Sequence, residues 1–259
     1  MDSERRDNIA GSGKSGPPSL DDILEELAIA HRVLAMVGHG FGTIGTVDVR
    51  DAHGRGFWTK RTGIGMDEVY GPAEMVLIDF DGNRVAGSGG VPLQWRLRAT
   101  IFRNRPDVNA IVYAPSFYAS VFSATGRSVL PVGDEGKHFD FNVPNFPNWS
   151  GWNLDAEVSD QIVATLGDAK GMLLKNNSLV TVAGSVPVAA LRAIFLERAC
   201  QMQLAAECSN YEWSWIRNDV GRPGMALTSP RQVENFWSYY LRRLERLESG
   251  APLPGEHVV

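Results

Sequence analysis

The stretch QWRLRATIFRNRPDVNAIVYA, residues 94–114, decides the class of fold. Residues 94–103 have the pattern of a helix, and residues 110–114 form a short apolar run bounded by turn residues. Such a run predicts a buried strand, because both of its faces must be covered by other elements. A helix that leads into a buried strand is typical of a layered domain containing helices and a sheet.

The same alternation continues in both directions from this stretch. A helix capped by Ser19 is predicted to end near Gly38, and three strand-like runs follow at residues 43–50, 56–59 and 75–80. On the other side, the pattern predicts helices at 116–124, 154–166, 186–206 and 229–247, strands at 172–174 and 179–182, and a loop at 144–152. We therefore expect an α/β or mixed layered domain.

Three segments are predicted along the chain. Residues 1–18 are polar, rich in Gly and Ser, and end in two prolines, which favours a disordered tail. Residues 19–210 carry the alternating pattern of the main domain. Residues 211–259 form an aromatic-rich extension with a final helix, for which we expect packing at an oligomer interface.

Composition excludes several classes of protein. Lys and Arg number 25 against 30 Asp and Glu, a net charge of −5, so no basic surface for nucleic acid is expected. No apolar run is long enough to span a membrane or serve as a signal peptide, which predicts a soluble, cytoplasmic protein. Cys200 and Cys208 fall on one predicted helix, about 12 Å apart along its axis, and cannot pair with each other.

Several segments, in order, resemble the class II aldolase/adducin family. They are GTIGTVDVR (42–50), FWTKRTGIGMDEV (57–69), MVLIDFDGNRVAG (75–87), WRLR with IF and RPDVNA (95–110), and GMLLKNNSLVTVAG (171–184). The ordered matches span residues 35–208. The resemblance implies an α/β/α sandwich around a central mixed, largely antiparallel sheet, and a homotetramer with active sites at subunit interfaces.

The resemblance also implies a metal site, which this sequence lacks. Enzymes of the family hold a divalent metal with three histidines and use a glutamate for proton transfer. Those positions are occupied here by Tyr113, Pro115 and Asn177 for the histidines and by Gln94 for the glutamate. Proline has no ligating side chain, and neutral tyrosine and amides bind zinc poorly. We therefore expect no metal and no other cofactor.

A cationic loop is the first candidate binding element. Residues Lys60, Arg61, Thr62 and Gly63 fall where the family binds the phosphate or carboxylate of its substrate. Two cations with a hydroxyl and a free N–H group can bind an acidic group, and two solvated surface charges are the alternative.

The segment Asp134 to His138 is the second candidate, because in the family it runs near the metal pocket. Imidazole is suited to proton transfer near neutral pH, so His138 is a candidate acid or base, together with Glu135. Solvated surface is the alternative for a segment of mixed charge.

The third candidate lies at the end of the buried strand. Tyr113 there could donate a hydrogen bond to a developing oxyanion, with Ser116 beside it. The resemblance adds Asn177 as a catalytic position, and Gln94 and Asn176 as substrate-binding positions. The alternative for Tyr113 is a core residue with a paired hydroxyl. For Arg96 and Arg98 we favour solvent-facing salt bridges, and for His31 a structural role.

These features favour a metal-independent enzyme of the lyase or isomerase type that acts on a small acidic or carbonyl-bearing metabolite. Retro-aldol cleavage, decarboxylation, dehydration, isomerisation and cyclisation all remain open. The alternative is a non-catalytic, adducin-like protein that serves assembly or ligand binding. Site residues gathered around one cavity would favour the enzyme, whereas a cavity filled by side chains would favour the alternative.

Overall fold

A computed structural model describes residues 18–149, 155–217, 227 and 229–250. Its helices are α1 (Leu20–Met36), α2 (Trp95–Asn104), α3 (Phe117–Ser123), α4 (Ala156–Leu166), α5 (Val186–Glu207) and α6 (Pro230–Glu248). Its strands are β1 (Thr46–Arg50), β2 (Phe57–Lys60), β3 (Met75–Ile78), β4 (Arg84–Gly87), β5 (Ala110–Ala114), β6 (Asn145–Phe146), β7 (Gly171–Leu174) and β8 (Ser178–Ala183).

The eight strands form one sheet in the order β4-β3-β2-β1-β5-β8-β7-β6. All neighbouring pairs are antiparallel except β6 and β7, which are parallel. The central strand β5 lies between β1 and β8, where Tyr113 pairs with Thr46 on one side and with Val180 on the other. The predicted mixed, largely antiparallel sheet is therefore confirmed.

Helices cover both faces of this sheet. Alternate residues of β5 point to opposite sides: Val112 packs in the core beneath α1 and α5, whereas Ile111 and Tyr113 pack in the core beneath α2 and α4. This arrangement is the predicted α/β/α sandwich. The face of the sheet on which a β5 side chain lies is therefore fixed by its position in the strand.

The predicted elements differ from the structure mainly at their ends. The strand predicted at 43–50 begins only at Thr46, because the preceding residues form a glycine-rich loop in which Gly45 has φ of 118°. The predicted loop at 144–152 contains the two-residue strand β6, too short for an apolar alternation to indicate. Residues Asp134–Phe139 form a short 3-10 helix.

The C-terminal helix α6 packs against α1 and α5, and Trp237 and Leu244 are buried in their shared core. The tail predicted at 1–18 lies outside the described residues apart from Pro18. Cys200 and Cys208 are both free, as predicted. Among the described residues, no helix is both long and apolar enough to cross a membrane.

Candidate functional site

A cavity of about 130 Å³ lies where β1, β2 and β5 meet the loop before α2. This volume is close to the ~150 Å³ cavity that holds benzene in a well-studied protein core. Its walls come from four separate parts of the chain: Thr43, Ile44, Gly45, Thr46, Lys60, Thr62, Pro92, Leu93, Gln94 and Tyr113. Four predicted site residues are therefore brought together here, namely Lys60, Thr62, Gln94 and Tyr113.

Glycine is required at one position in the wall of this cavity. Gly45 has φ of 118°, and a Cβ atom there would lie 2.6 Å from the side-chain sulfur of Met66, so a larger residue would be strained and would displace Met66. Across the cavity, the Thr62 N–H donates to the carbonyl oxygen of Gly90 at 3.0 Å. Gly63, the next residue, has φ of 87°, which closes the turn after the cationic pair.

Lys60 is buried, with 1% of its surface exposed. Its Nζ donates to the carbonyl oxygens of Thr43 at 2.9 Å and Ile64 at 2.7 Å. Burial, with the nearby Arg98 guanidinium as the next cause, lowers the pKa of Lys60 to about 8. Solvation, the alternative considered for both cations, is therefore wrong for Lys60. Arg61 is half-buried and lies outside the residues that line the cavity.

A buried ion pair lies beside the cavity, and the sequence did not indicate it. Arg98 Nε is 3.0 Å from Asp48 Oδ2, and neither side chain is exposed. Thr46, a wall residue, donates to the same carboxylate oxygen at 3.1 Å. The solvent-facing salt bridge expected for Arg98 is wrong, because its helix turns this side toward the sheet. The sequence signal that could have indicated this ion pair was Asp48, an acidic residue within the otherwise apolar strand TVDVR.

Tyr113 and Asn177 are joined by a hydrogen bond. The hydroxyl of Tyr113 donates to Oδ1 of Asn177 at 2.9 Å, and the ring of Trp149 lies 6.2 Å from the tyrosine ring between centroids. Burial raises the pKa of Tyr113, which keeps the phenol protonated. Asn176 has φ of 60° and its N–H donates to Ser123 Oγ, so its backbone sets the turn that presents Asn177.

These residues do not fit the metal that the family's enzymes bind. The phenol of Tyr113 and the amide oxygen of Asn177 already pair with each other, and Pro115 has no donor atom. Gln94 adds only a neutral amide. Over the described part of the chain, no three or more His, Cys, Asp or Glu side chains are grouped to hold a metal ion. The donor set lacks the imidazole, thiolate or carboxylate that zinc requires.

Ser116 does not line the cavity. Its Oγ lies 2.6 Å from Nδ1 of His39, and both side chains are buried. The carbonyl oxygen of Pro115 accepts the N–H of Gly40 at 2.8 Å, which ties the same two segments together. Ser116 therefore holds the loop before β1 against the end of β5. His31 is structural, as predicted: its ring bridges the Leu27 carbonyl and the Val47 N–H.

His138 and Glu135 lie away from this cavity, which corrects the predicted grouping. The His138 ring stacks on Phe195 of α5, with centroids 4.5 Å apart, on the face of the sheet opposite to Tyr113. Burial lowers the pKa of His138 to about 4. Glu135 forms a salt bridge with Arg198, Nε to Oε1, at 2.5 Å. Within this chain, both residues belong to the packing of α5.

A larger groove, of about 510 Å³, lies between α1 and the end of α6. Arg32 and Glu248 form an ion pair on its wall, and His39 also lines it. None of the residues predicted from sequence to bind or convert a substrate lines this groove.

The chain belongs to the class II aldolase family: the model of the Class II Aldolase and Adducin N-terminal domain matches residues 25–204. A solved aldolase II superfamily protein from Pseudomonas syringae has the same fold. It superposes with a TM-score of 0.77 at 24% identity, covering 90% of this chain and 96% of that one.

Two relatives of known name are decarboxylases. Decarboxylase NovR of Streptomyces niveus is 28% identical over 204 residues, which is 74% of this chain and 75% of that protein. The 3,4-dihydroxyphthalate decarboxylase of Arthrobacter keyseri is 26% identical over 197 residues, covering 70% and 77% of the two chains. Family and relatives together support a lyase-type enzyme.

Proposed function

We propose that this protein is a metal-independent lyase that removes carbon dioxide from a small organic acid carrying a carbonyl group. This proposal rests mainly on one cavity that gathers Lys60, Thr62, Gln94 and Tyr113, two of which occupy positions that the resemblance assigns to the family's metal ligands and catalytic acid. The names of the two decarboxylase relatives favour decarboxylation over dehydration, isomerisation or cyclisation. The open cavity also favours an enzyme over an adducin-like scaffold, because in a scaffold we expect side chains to fill this space.

Each wall residue has a distinct role in this proposal. Lys60 in its protonated form attracts the incoming acid, and the Thr62 hydroxyl in the cavity wall is a neutral donor for the carboxylate once the acid is bound. Decarboxylation leaves an electron pair on carbon, which the adjacent carbonyl must accept as an enolate. The Tyr113 hydroxyl donates to Asn177 in the free protein, and in this proposal it turns its hydrogen to that oxygen when the substrate binds. Gln94 provides a second neutral donor.

A screen of carbonyl-bearing acids tests this proposal. The purified protein is incubated with β-keto acids and hydroxylated aromatic acids, and released carbon dioxide is measured with and without a chelator. We expect release from at least one acid, unchanged by the chelator, and no stoichiometric metal by elemental analysis. Activity that disappears on chelation and returns with added zinc would overturn metal independence.

We also propose that the active protein is a homotetramer. Five large side chains of the described residues are strongly exposed on the single chain: Phe41, Tyr70, Leu93, Phe117 and Tyr211. Leu93 also lines the cavity, so a neighbouring subunit that covers it would help to close the site. Light scattering at micromolar concentration checks this, and a stable monomer that retains activity would contradict it.

A further inference from the structure

We propose that the ε-amine of Lys60 is a nucleophile that forms a covalent imine with the carbonyl carbon of the substrate. This inference rests on the proposed lyase function and deepens it. Decarboxylation and retro-aldol cleavage both need a group that accepts the electron pair released at carbon. The family's enzymes use a metal, for which the donor set here does not fit, whereas an iminium ion accepts the pair without one.

The hydrogen bonds at Lys60 match a neutral amine. A neutral primary amine has two N–H donors and one lone pair, whereas an ammonium ion has three donors. The structure provides two acceptors, the carbonyl oxygens of Thr43 and Ile64. With both N–H groups bonded, the neutral form keeps its lone pair available. Thr43 is itself a wall residue, so the nitrogen is held beside the cavity.

The charges around Lys60 nearly balance, so its burial is what favours the neutral amine. Arg98 and Arg61 oppose a further positive charge, whereas Asp48 and Glu68 favour it. The Asp48 carboxylate is already paired with Arg98, and Glu68 accepts the Gly65 N–H at 2.6 Å. The lowered pKa of Lys60 agrees with this arrangement.

Other lysines of the described chain lack these features. Lys137 and Lys170 pair with exposed carboxylates, those of Asp134 and Asp140, each at 2.5 Å. Lys175 is half-buried in the turn between β7 and β8. Among the described lysines only Lys60 is buried and lines a cavity.

The reaction balances with groups that are present. The neutral amine attacks the carbonyl carbon, the carbonyl oxygen takes up a proton, and loss of water leaves a protonated imine. The bond to the carboxylate then breaks, carbon dioxide leaves, and its electron pair forms an enamine with the iminium nitrogen. Protonation of the enamine carbon and addition of water release the ketone and the free amine. The Tyr113 hydroxyl lines the same cavity and is placed to exchange these protons.

Borohydride trapping tests the proposal. Glyoxylate and pyruvate are the probes, because both are small carbonyl acids that suit the cavity. The protein is incubated with each at pH 7.5, reduced with sodium borohydride, digested, and mapped by mass spectrometry over its five lysines. We expect Lys60 to carry at least tenfold more adduct than Lys137 or Lys170. Equal or lower labelling of Lys60 with both probes would overturn the proposal.

The pH dependence of trapping gives a second readout on the unmodified protein. An amine with a pKa near 8 is roughly a quarter deprotonated at pH 7.5, against about one in a thousand for an ordinary lysine. Labelling of Lys60 should therefore rise with a midpoint near pH 8. A midpoint for Lys60 near pH 10, the ordinary value for a lysine amine, would contradict the proposed amine.

Two variants provide matched controls. Lys60→Arg keeps the positive charge but cannot form the imine, so the Lys60 adduct and carbon dioxide release should both disappear while the fold persists. Lys170→Arg removes a surface amine and should change neither. Carbon dioxide release by the parent protein without Lys60 adduct would refute the imine and leave the lyase function standing. A Lys60 adduct without carbon dioxide release from any acid would support the imine and contradict the proposed lyase function.

Discussion

Two regions of the molecule carry chemically suggestive side chains, and they differ in how the chain assembles them. The segment Asp134–Phe139 places its charged residues and His138 next to one another in sequence. The cavity instead gathers Lys60, Gln94 and Tyr113 from β2, the start of α2 and β5. In the first region the side chains pack against α5 or form ion pairs at the surface. In the second they face a shared space.

The difference teaches that neighbours in sequence are weaker evidence for a site than neighbours in the fold. In a short helix, consecutive side chains point in different directions, so Glu135 reaches Arg198 while His138 stacks on Phe195. Lys60 and Tyr113 come together at one edge of the sheet, because β2 and β5 both pair with β1, which fixes their positions relative to each other.

The largest expected effect is on the stability of the cavity side. Replacing Arg98 by Met leaves Asp48 as an uncompensated buried charge, so we expect the free energy of unfolding to fall by about 3–5 kcal/mol. Urea denaturation followed by circular dichroism measures this. Arg103→Met, which removes an exposed ion pair with Asp81, is the control and should cost at most about 1 kcal/mol. Equal losses in the two variants would contradict a buried pair.

Turnover should separate the two regions next. Tyr113→Phe removes the donor to the developing oxyanion, and we expect it to lower kcat about 10²–10³-fold. His138→Gln lies on the other face of the sheet and should stay within about twofold of the parent. The acid identified by the carbon dioxide screen is the substrate for both. A larger loss of kcat in the His138 variant would indicate that His138 takes part in the reaction.

Acid should destabilise the α5 side through His138. Its pKa is lowered from 6.5 to about 4 in the folded chain, so protonation favours the unfolded state. The resulting stability is present above pH 6.5 and is lost as the pH falls toward 4. At 1.36 kcal/mol per pKa unit the loss is at most about 3 kcal/mol. His138→Phe, which preserves a ring against Phe195, should flatten this part of the curve; an unchanged curve would contradict the assignment.

The smallest effect is expected at Glu135. Its pair with Arg198 is partly solvated, since 60% of the arginine side chain is exposed. Glu135→Gln should therefore change the free energy of unfolding by less than about 1 kcal/mol and leave turnover unaltered. Thermal denaturation and the carbon dioxide assay check both statements. A strong loss of turnover with an intact fold would show that a second subunit brings this segment to the cavity.

Much of the fold could be predicted from local patterns. The uninterrupted apolar run predicted β5, and Ser19 predicted the start of α1. In both cases the signal lies within a few residues of the element that it specifies. Strands without such a pattern were harder to find: β6 has only two residues and is held by its parallel neighbour β7. The ordered motifs then indicated the family, which the match over residues 25–204 establishes.

The candidate site could be predicted only in part. The residue types at Tyr113, Pro115 and Asn177, where the resemblance places metal ligands, can be read from the sequence alone, and they predict the loss of the metal site. The burial of Lys60 could not be predicted from the sequence, because a lysine at the end of a strand is exposed or enclosed according to which loops fold over it. Here the carbonyls of Thr43 and Ile64 enclose it.

The sequence by itself therefore determined the class of fold and the family, since each depends on residue types and their order. Tertiary structure alone decided that Arg98 pairs with Asp48 inside the protein, that His138 joins α5, and that Lys60 lines the cavity. The physical reason is that charge and reactivity depend on what surrounds a side chain. Those surroundings are supplied by residues distant in the chain.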